Sequence, residues 1–254
     1  MVITMFIIGF ISGVITGLLS VGGGIISIFA LILLPPLVLQ THFSMQTIAG
    51  FSIMQAFFST FSGAYYYIRE NVIDKGVAIY IGVPAFFGGS VGVLIAHTTS
   101  DTLLRIIFTV FSVAAAIVMQ IPFKANENND YQFSAGSRIL SIAGGLTIGI
   151  IGGMIGLSAG FIFVPAMVFF YHLTIKKAIG TSLITCFLLA AGSFIVKIAL
   201  GAISLKLGFS LVIGGMIGAQ IGGRISKRTE PLVLKRIAAY SILLISIKMI
   251  YDLF

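Results

Sequence analysis

The chain has 254 residues, of which 58% are hydrophobic and only 9% charged, with a formal net charge of +8 and a mean hydropathy of +1.15. A soluble domain carries about 25% charged residues, so this composition excludes a soluble enzyme or binding module and calls for a polytopic membrane protein. The single cysteine, Cys186, excludes an intramolecular disulfide, and no basic segment with interleaved aromatics offers a nucleic-acid surface.

The first apolar stretch, residues 2–40, carries Gly9, Gly13 and Gly17 into GLLSVGGGIISIFALILLPP, where Ser20 precedes the triplet Gly22, Gly23 and Gly24. It lacks a basic leading region and its pattern returns later in the chain, so it reads as a retained segment and not as a cleavable leader. Each interior glycine costs about 1 kcal/mol of helix propensity, and a triplet inside an apolar run therefore predicts a break between two helices. Three ordinary spans follow, over residues 45–67, 76–97 and 103–122.

The hydrophilic stretch PFKANENNDYQFSAGSR, residues 122–138, divides the chain, and the second half repeats the first. Gly145, Gly149 and Gly153 precede GLSAG as Gly9, Gly13 and Gly17 precede SVGGG, 136 positions earlier. TIAGFSIMQAF (47–57) matches KAIGTSLITCF (177–187) at a shift of 130, which pairs Gly50 with Gly180 and Ser52 with Ser182. The same shift lays Gly88 and Gly92 on Gly218 and Gly222. The second half thus predicts a glycine-interrupted segment over 138–172, then spans over 177–200, 206–225 and 231–252. The expected organisation is an N-terminal transmembrane repeat (1–122), a polar connecting loop (123–137) and a C-terminal transmembrane repeat (138–254).

Charge chooses the topology. If the chain turns at each break, Arg69, Lys75, Lys124, Arg138, Lys176, Lys177, Arg224, Lys227, Arg228, Lys235 and Arg236 share one face, and only Arg105 and Lys206 fall on the other. A single crossing scatters the same charges over both faces. The positive-inside rule favours the turned arrangement: an all-α membrane protein of two inverted repeats, each a broken, hairpin helix plus three transmembrane helices, with both termini outside the cytoplasm.

Inverted repeats with interrupted helices are a construction of secondary transporters. Bare backbone at membrane depth has to be satisfied by protein, water or ligand, and a helix restarting after a break aims free N–H groups and its positive dipole end at one point, a ready anion site. The candidate substrate-binding residues are therefore Ser20, Gly22, Gly23 and Gly24 at the first break and Ser158, Ala159 and Gly160 at the second. Ser52, Gln55, Thr181, Ser182 and Gln220 lie inside apolar runs and complete the shell, with interhelical hydrogen bonding as the alternative for each. Glycines at four-residue spacing read as packing ridges. Lys197 and Lys248, near helix ends, are expected to snorkel to an interface, with a role in anion attraction as the alternative for Lys197. No Asp or Glu lies deep in a span, so a buried carboxylate relay is not expected. Paired carboxylates, a metal-ligand cluster and a nucleophile–base arrangement are all missing from the interior, and no catalysis, cofactor or metal is expected.

GVITGLLSVGGGIISIFALIL and its partner GIIGGMIGLSAGFIFVPAMVFF, followed by AIGTSL, resemble the TauE/SafE family of sulfite and organosulfonate exporters. The second half fits the family pattern through Gly160, Pro165, Gly180, Thr181 and Ser182, and GGMIGAQIGGRISKRTEPLVLKR is similar to its Gly-x-x-x-Gly helix with a basic end. The first half departs from it, with Phe29 where the repeat has Pro165 and Phe51 where it has Thr181, so the second half is expected to supply more side-chain contacts. The resemblance implies export of sulfite or an organosulfonate such as sulfoacetate through a bacterial inner membrane by alternating access, with a small anion and the lipid bilayer as partners. Import of another small anion or sulfur compound, and a non-transporting scaffold whose glycines serve only assembly, stay open as alternatives. So does a homo-oligomer built on the glycine ridges.

Overall fold

The computed structural model describes residues 2–19, 24–39, 43–120, 135–201, 205–229 and 233. Ser20, Gly22, Gly23, Lys248 and the expected last span over 231–252, apart from residue 233, lie outside the described residues. Among the described residues the chain forms nine α-helices and no strand. The first long segment resolves into α1 (Val2–Leu19) and α2 (Gly24–Leu39), followed by α3 (Met45–Arg69), α4 (Lys75–Thr98) and α5 (Asp101–Gln120). The second resolves into α6 (Ala135–Ile155) and α7 (Gly160–Tyr171), followed by α8 (Ile175–Ala199) and α9 (Leu205–Arg228). Lys75–Thr98, Ser137–Ile155 and Ile175–Ala199 are each long and apolar enough to cross a membrane, whose hydrocarbon is about 30 Å thick.

The glycines decide which helices meet. A Cβ placed on Gly9, Gly13 or Gly17 of α1 would run into the backbone of Leu211, Gly215 or Ala219 of α9, in that order. On α6, Gly145, Gly149 and Gly153 meet Ile81, Ala85 and Gly89 of α4 in the same rising sequence. Two helix backbones touch this closely only where side chains are missing, which is the small-residue packing of membrane bundles. Gly88 and Gly92 return the contact onto α6, and Gly218 and Gly222 onto α1. The ridges expected from the four-residue spacing are therefore occupied within one chain, which leaves them unavailable as an oligomer face.

The same contacts give the helix directions. α1 runs parallel to α9, and α3 joins that set, with Met54 at Gly208, Gln55 and Ser59 at Gly215, and Ser62 donating to the Met216 carbonyl. α4 runs parallel to α6 and also to α8, since Gly82 meets Thr185 and Leu188 while Gly89 meets Leu189 and Ser193. The two sets face each other where α3 lies antiparallel to α8. Gly180 packs on Tyr67 and Gly63 on Leu183, and Phe57 stacks on Phe187 and Phe194 with ring centroids 5.1 Å apart in each case. The Ser141 hydroxyl, near the start of α6, hydrogen-bonds the Tyr171 hydroxyl at the end of α7, so α7 travels back along α6 and the chain turns at the second break. α1 and α3 point the same way, so the chain between them also returns.

Arg69, Lys75, Arg138, Lys176, Lys177 and Arg224 consequently gather at one end of the bundle. Arg105 and Lys197 lie at the other, where the Asp101 carboxylate at the start of α5 accepts the Met45 N–H at the start of α3. Lys197 does not snorkel as its place near a helix end predicts: it is 4% exposed, and its Nζ donates to the Gln46 carbonyl at 3.0 Å.

These contacts give a contrast between two glycines. Gly13→Ala drives a methyl into the backbone of Gly215 and lowers stability by about 1–3 kcal/mol, whereas Gly144, whose Cβ would meet nothing within 4 Å, tolerates alanine. Thermal denaturation of the two variants in detergent checks the difference.

Candidate functional site

The second break is a helix that ends, reverses and restarts in the interior. α6 stops at Ile155, and Gly156 takes φ +79°, a conformation glycine adopts without the penalty a side chain imposes. Its Cα lies against Ala49 of α3, so any side chain would strike that helix. The Leu157 N–H donates back to the Gly152 carbonyl at 2.7 Å, closing the end of α6. Ala159 is left-handed, with φ 53°, and precedes α7 without supplying a side-chain cap. The Ile162 and Phe163 N–H groups share the Ala159 carbonyl, at 3.0 and 3.2 Å. The N–H groups of Gly160 and Phe161 have no backbone acceptor among the described residues, although Ala159 and Phe161 are fully buried. A helix start buried in this way presents free donors and the positive end of its dipole to whatever approaches.

The side chain of Ser158 hydrogen-bonds that of Cys186, which lies near the middle of the 25-residue α8. The start of α7 is therefore deep in the bundle. Ser182 lies one turn earlier on the same face of α8, fully buried, with its hydroxyl donating to the Ile179 carbonyl at 3.0 Å.

The first half reaches this point through two hydroxyls. Ser52 of α3 donates to the Gly156 carbonyl at 2.8 Å, and its Oγ lies 3.3 Å from that of Ser27. Ser27 in turn donates to the Gly24 carbonyl at 3.2 Å. A Cβ on Gly24 would press on Leu157, so the start of α2 abuts the second break directly. Gly24, Ser52, Ser158, Ala159, Gly160 and Ser182 are thus brought into one neighbourhood.

Three other candidates lie elsewhere. Thr181 donates to the Lys177 carbonyl at 2.7 Å and accepts the Asp74 N–H at 2.9 Å, beside a Lys177–Asp74 ion pair of 3.3 Å; it ties α8 to the α3–α4 turn. Gln55 donates to Ser12 and, at 3.3 Å, to the Gly9 carbonyl, in the seam of α1, α3 and α9, and its Oε1 has no partner among the described residues. Gln220 donates to the Ser62 carbonyl at 2.6 Å and hydroxyl at 3.0 Å. With Tyr65, Arg69, Glu70 and Arg224 it lines a cavity of about 330 Å³ at the basic end of the bundle.

Ser27, Gly156 and Cys186 belong to the neighbourhood and are not among the sequence candidates. Gly156 had a signal, a glycine opening the GLSAG stretch where the helix has to reverse. Cys186 had a weaker one, its position four residues after Ser182.

A turned helix with a buried restart that its preceding residue does not cap can offer N–H donors to anionic oxygen without a buried arginine. The sequence matches the family described as "Sulfite exporter TauE/SafE" over residues 5–249. The chain belongs to this family. It is similar to "Probable membrane transporter protein YunE" of Bacillus subtilis (strain 168), at 23% identity covering 98% of this chain and 97% of the relative. It is similar also to "Probable membrane transporter protein YdhB" of the same organism, at 27% identity covering 91% of this chain and 93% of that one. A third relative, "Probable membrane transporter protein YfcA" of Escherichia coli (strain K12), is 22% identical over 98% of this chain and 89% of its own length. No solved structure matches. This TauE/SafE chain is a multi-pass membrane transporter.

The turn at the second break is expected to be the less tolerant of two positive-φ glycines. Gly156→Ala collides with Ala49 and strains the backbone, abolishing a folded protein or its transport. Gly201, at φ +64° with nothing within 4 Å, loses only about 1 kcal/mol on the same change. Expression, thermal denaturation and substrate flux of the pair separate the two cases.

Proposed function

We propose that this transporter exports a small sulfur oxyanion, sulfite or an organosulfonate such as sulfoacetate, across a bacterial inner membrane by alternating access. The observation that carries the reading is the buried, uncapped start of α7, met by hydroxyls from both halves of the chain. A sulfonate offers three acceptor oxygens and one charge, which suits several N–H and O–H donors converging on one point. The Gly160 and Phe161 N–H groups hold the anion, with the start of α2 at Gly24 closing the far side. The Ser158, Ser182 and Ser52 hydroxyls around it each carry one O–H, which turns from its partner within the protein to the anion when the anion binds.

The two halves, 1–122 and 138–254 with residues 123–137 between them, act as inverted repeats. Helix direction supports this: α1 and α6, related by the shift of 136, belong to opposite sets, as do α3 and α8, and α4 and α9. The clustered arginines and lysines at one end of the bundle make that end cytoplasmic. Each repeat's first helix is locked by backbone contact to a helix of the other repeat, so the moving bodies are the two parallel sets and not the sequence halves. α1, α3 and α9 rock against α4, α6 and α8 across the phenylalanine-lined α3–α8 seam, opening the break to one side and then the other.

Binding of sulfite and sulfoacetate to detergent-purified protein, followed by efflux from loaded proteoliposomes, tests the proposal. Saturable binding is expected, weakened roughly tenfold by Ser158→Ala or Ser182→Ala, because a hydrogen bond to a charged group contributes about 1.5–3 kcal/mol. A folded wild type without saturable affinity for either anion contradicts the proposal and returns the chain to carriage of another solute or to a scaffold.

A further inference from the structure

The end of the bundle opposite the clustered arginines holds a cation that the site above does not use. Lys197 is buried, in the last turn of a membrane-spanning helix. Its ammonium has three donors, and one goes to the Gln46 carbonyl. Among the described residues no carboxylate lies within ion-pair distance of it. The acid of this region, Asp101, accepts the Met45 N–H and pairs with Arg105 at 2.9 Å. The Gln46 side chain is also committed, donating to the Ala96 and Thr99 carbonyls at 3.3 and 3.2 Å to tie α3 to the end of α4. A cation buried in a membrane-spanning helix marks a functional position because its charge has to be answered by a partner, and among the described residues Asp101 and the Gln46 amide N–H groups are committed elsewhere.

Its location says what the partner is. Gln46 and Ala49 are neighbours on one face of α3, about one turn or 5 Å apart, and Ala49 is the residue on which Gly156 packs. Lys197 therefore bonds α3 about a turn from Gly156, on the side away from the basic end, and its Cα lies roughly 16 Å along α8 from Cys186, the partner of Ser158. It also sits at the start of α3, where the helix dipole opposes a cation and favours an anion.

We propose that Lys197 is the fixed cation of the translocation path, pairing with a small oxyanion as it moves from the second break toward the non-cytoplasmic side. This rests on the reading of the break as an anion site, and it adds the charge which that site lacks. The competing role is purely structural, a lysine that fastens α8 to α3 through one carbonyl.

The test is anion-dependent thermal stabilisation of purified protein with sulfite, sulfoacetate, sulfate, acetate and chloride, for wild type, Lys197→Met, Lys197→Gln and Lys197→Arg. The expected result is stabilisation of wild type by at least one oxyanion, at a concentration raised tenfold or more in Lys197→Met and Lys197→Gln and by no more than threefold in Lys197→Arg. If Lys197→Met fails to fold, the Gln and Arg variants carry the same comparison. Unchanged anion dependence with a lower melting temperature without anion assigns the structural role and overturns the proposal, as does a wild type that no anion stabilises. Dependence on Lys197 with sulfate or acetate but with neither sulfite nor sulfoacetate upholds the lysine while the sulfite and sulfonate reading falls.

Discussion

A helix that stops inside a hydrocarbon-facing bundle leaves N–H and C=O groups that lipid cannot satisfy, and the second break shows how this chain answers that constraint. The end of α6 is closed by the Leu157 N–H, and the Gly156 carbonyl, freed by the break, is taken by Ser52 from the other half of the chain. Among the described residues the restart of α7 has no side-chain cap, and its first N–H groups have no backbone acceptor. The Gly152 and Gly156 carbonyls are satisfied by protein and those donors are not, and this asymmetry is what the proposed anion would answer.

The rest of the bundle keeps this arrangement in place. Glycine ridges bring α1 onto α9 and α4 onto α6 at backbone distance, so each half is clamped by the other and neither buries its faces alone. The clamps hold Ser52 and Ser27 of one half against Gly156 and Leu157 of the other, and the α3–α8 seam is left as the junction between two parallel sets. Packing and function use the same residue type for opposite reasons. Glycine at Gly13 or Gly149 removes a side chain so that backbones touch, whereas Gly156 permits a backbone conformation that reverses the chain.

Much of this was legible in the residues. Glycine inside an apolar run is costly wherever it is not needed, so both breaks and the four-residue ridges stand out, and spans such as 45–67 and 76–97 fall within a few residues of α3 and α4. What the chain does not display along its length is who faces whom. A glutamine in an apolar run announces that it needs a partner, but not that Gln55 finds Ser12 in the α1 seam or that Gln220 finds Ser62 beside Arg69 and Arg224. Thr181 matches a family motif, yet its hydroxyl is occupied by the Asp74 N–H, a contact 107 residues away in sequence. Lys197 reads as a snorkelling residue because helix-end lysines usually are, and only the position of Gln46 on a neighbouring helix turns it inward.

The measurement that tests the central claim most directly is substrate protection at the second break. In a Cys186→Ala background, Ser158→Cys and, separately, Gln220→Cys are labelled with a small methanethiosulfonate reagent in the presence and absence of sulfoacetate. Sulfoacetate is predicted to slow labelling at position 158 and to leave position 220 unchanged. Protection at 220 with none at 158 would contradict the account, because it would place the anion in the cavity of Arg69 and Arg224 and reduce the break to a device of folding.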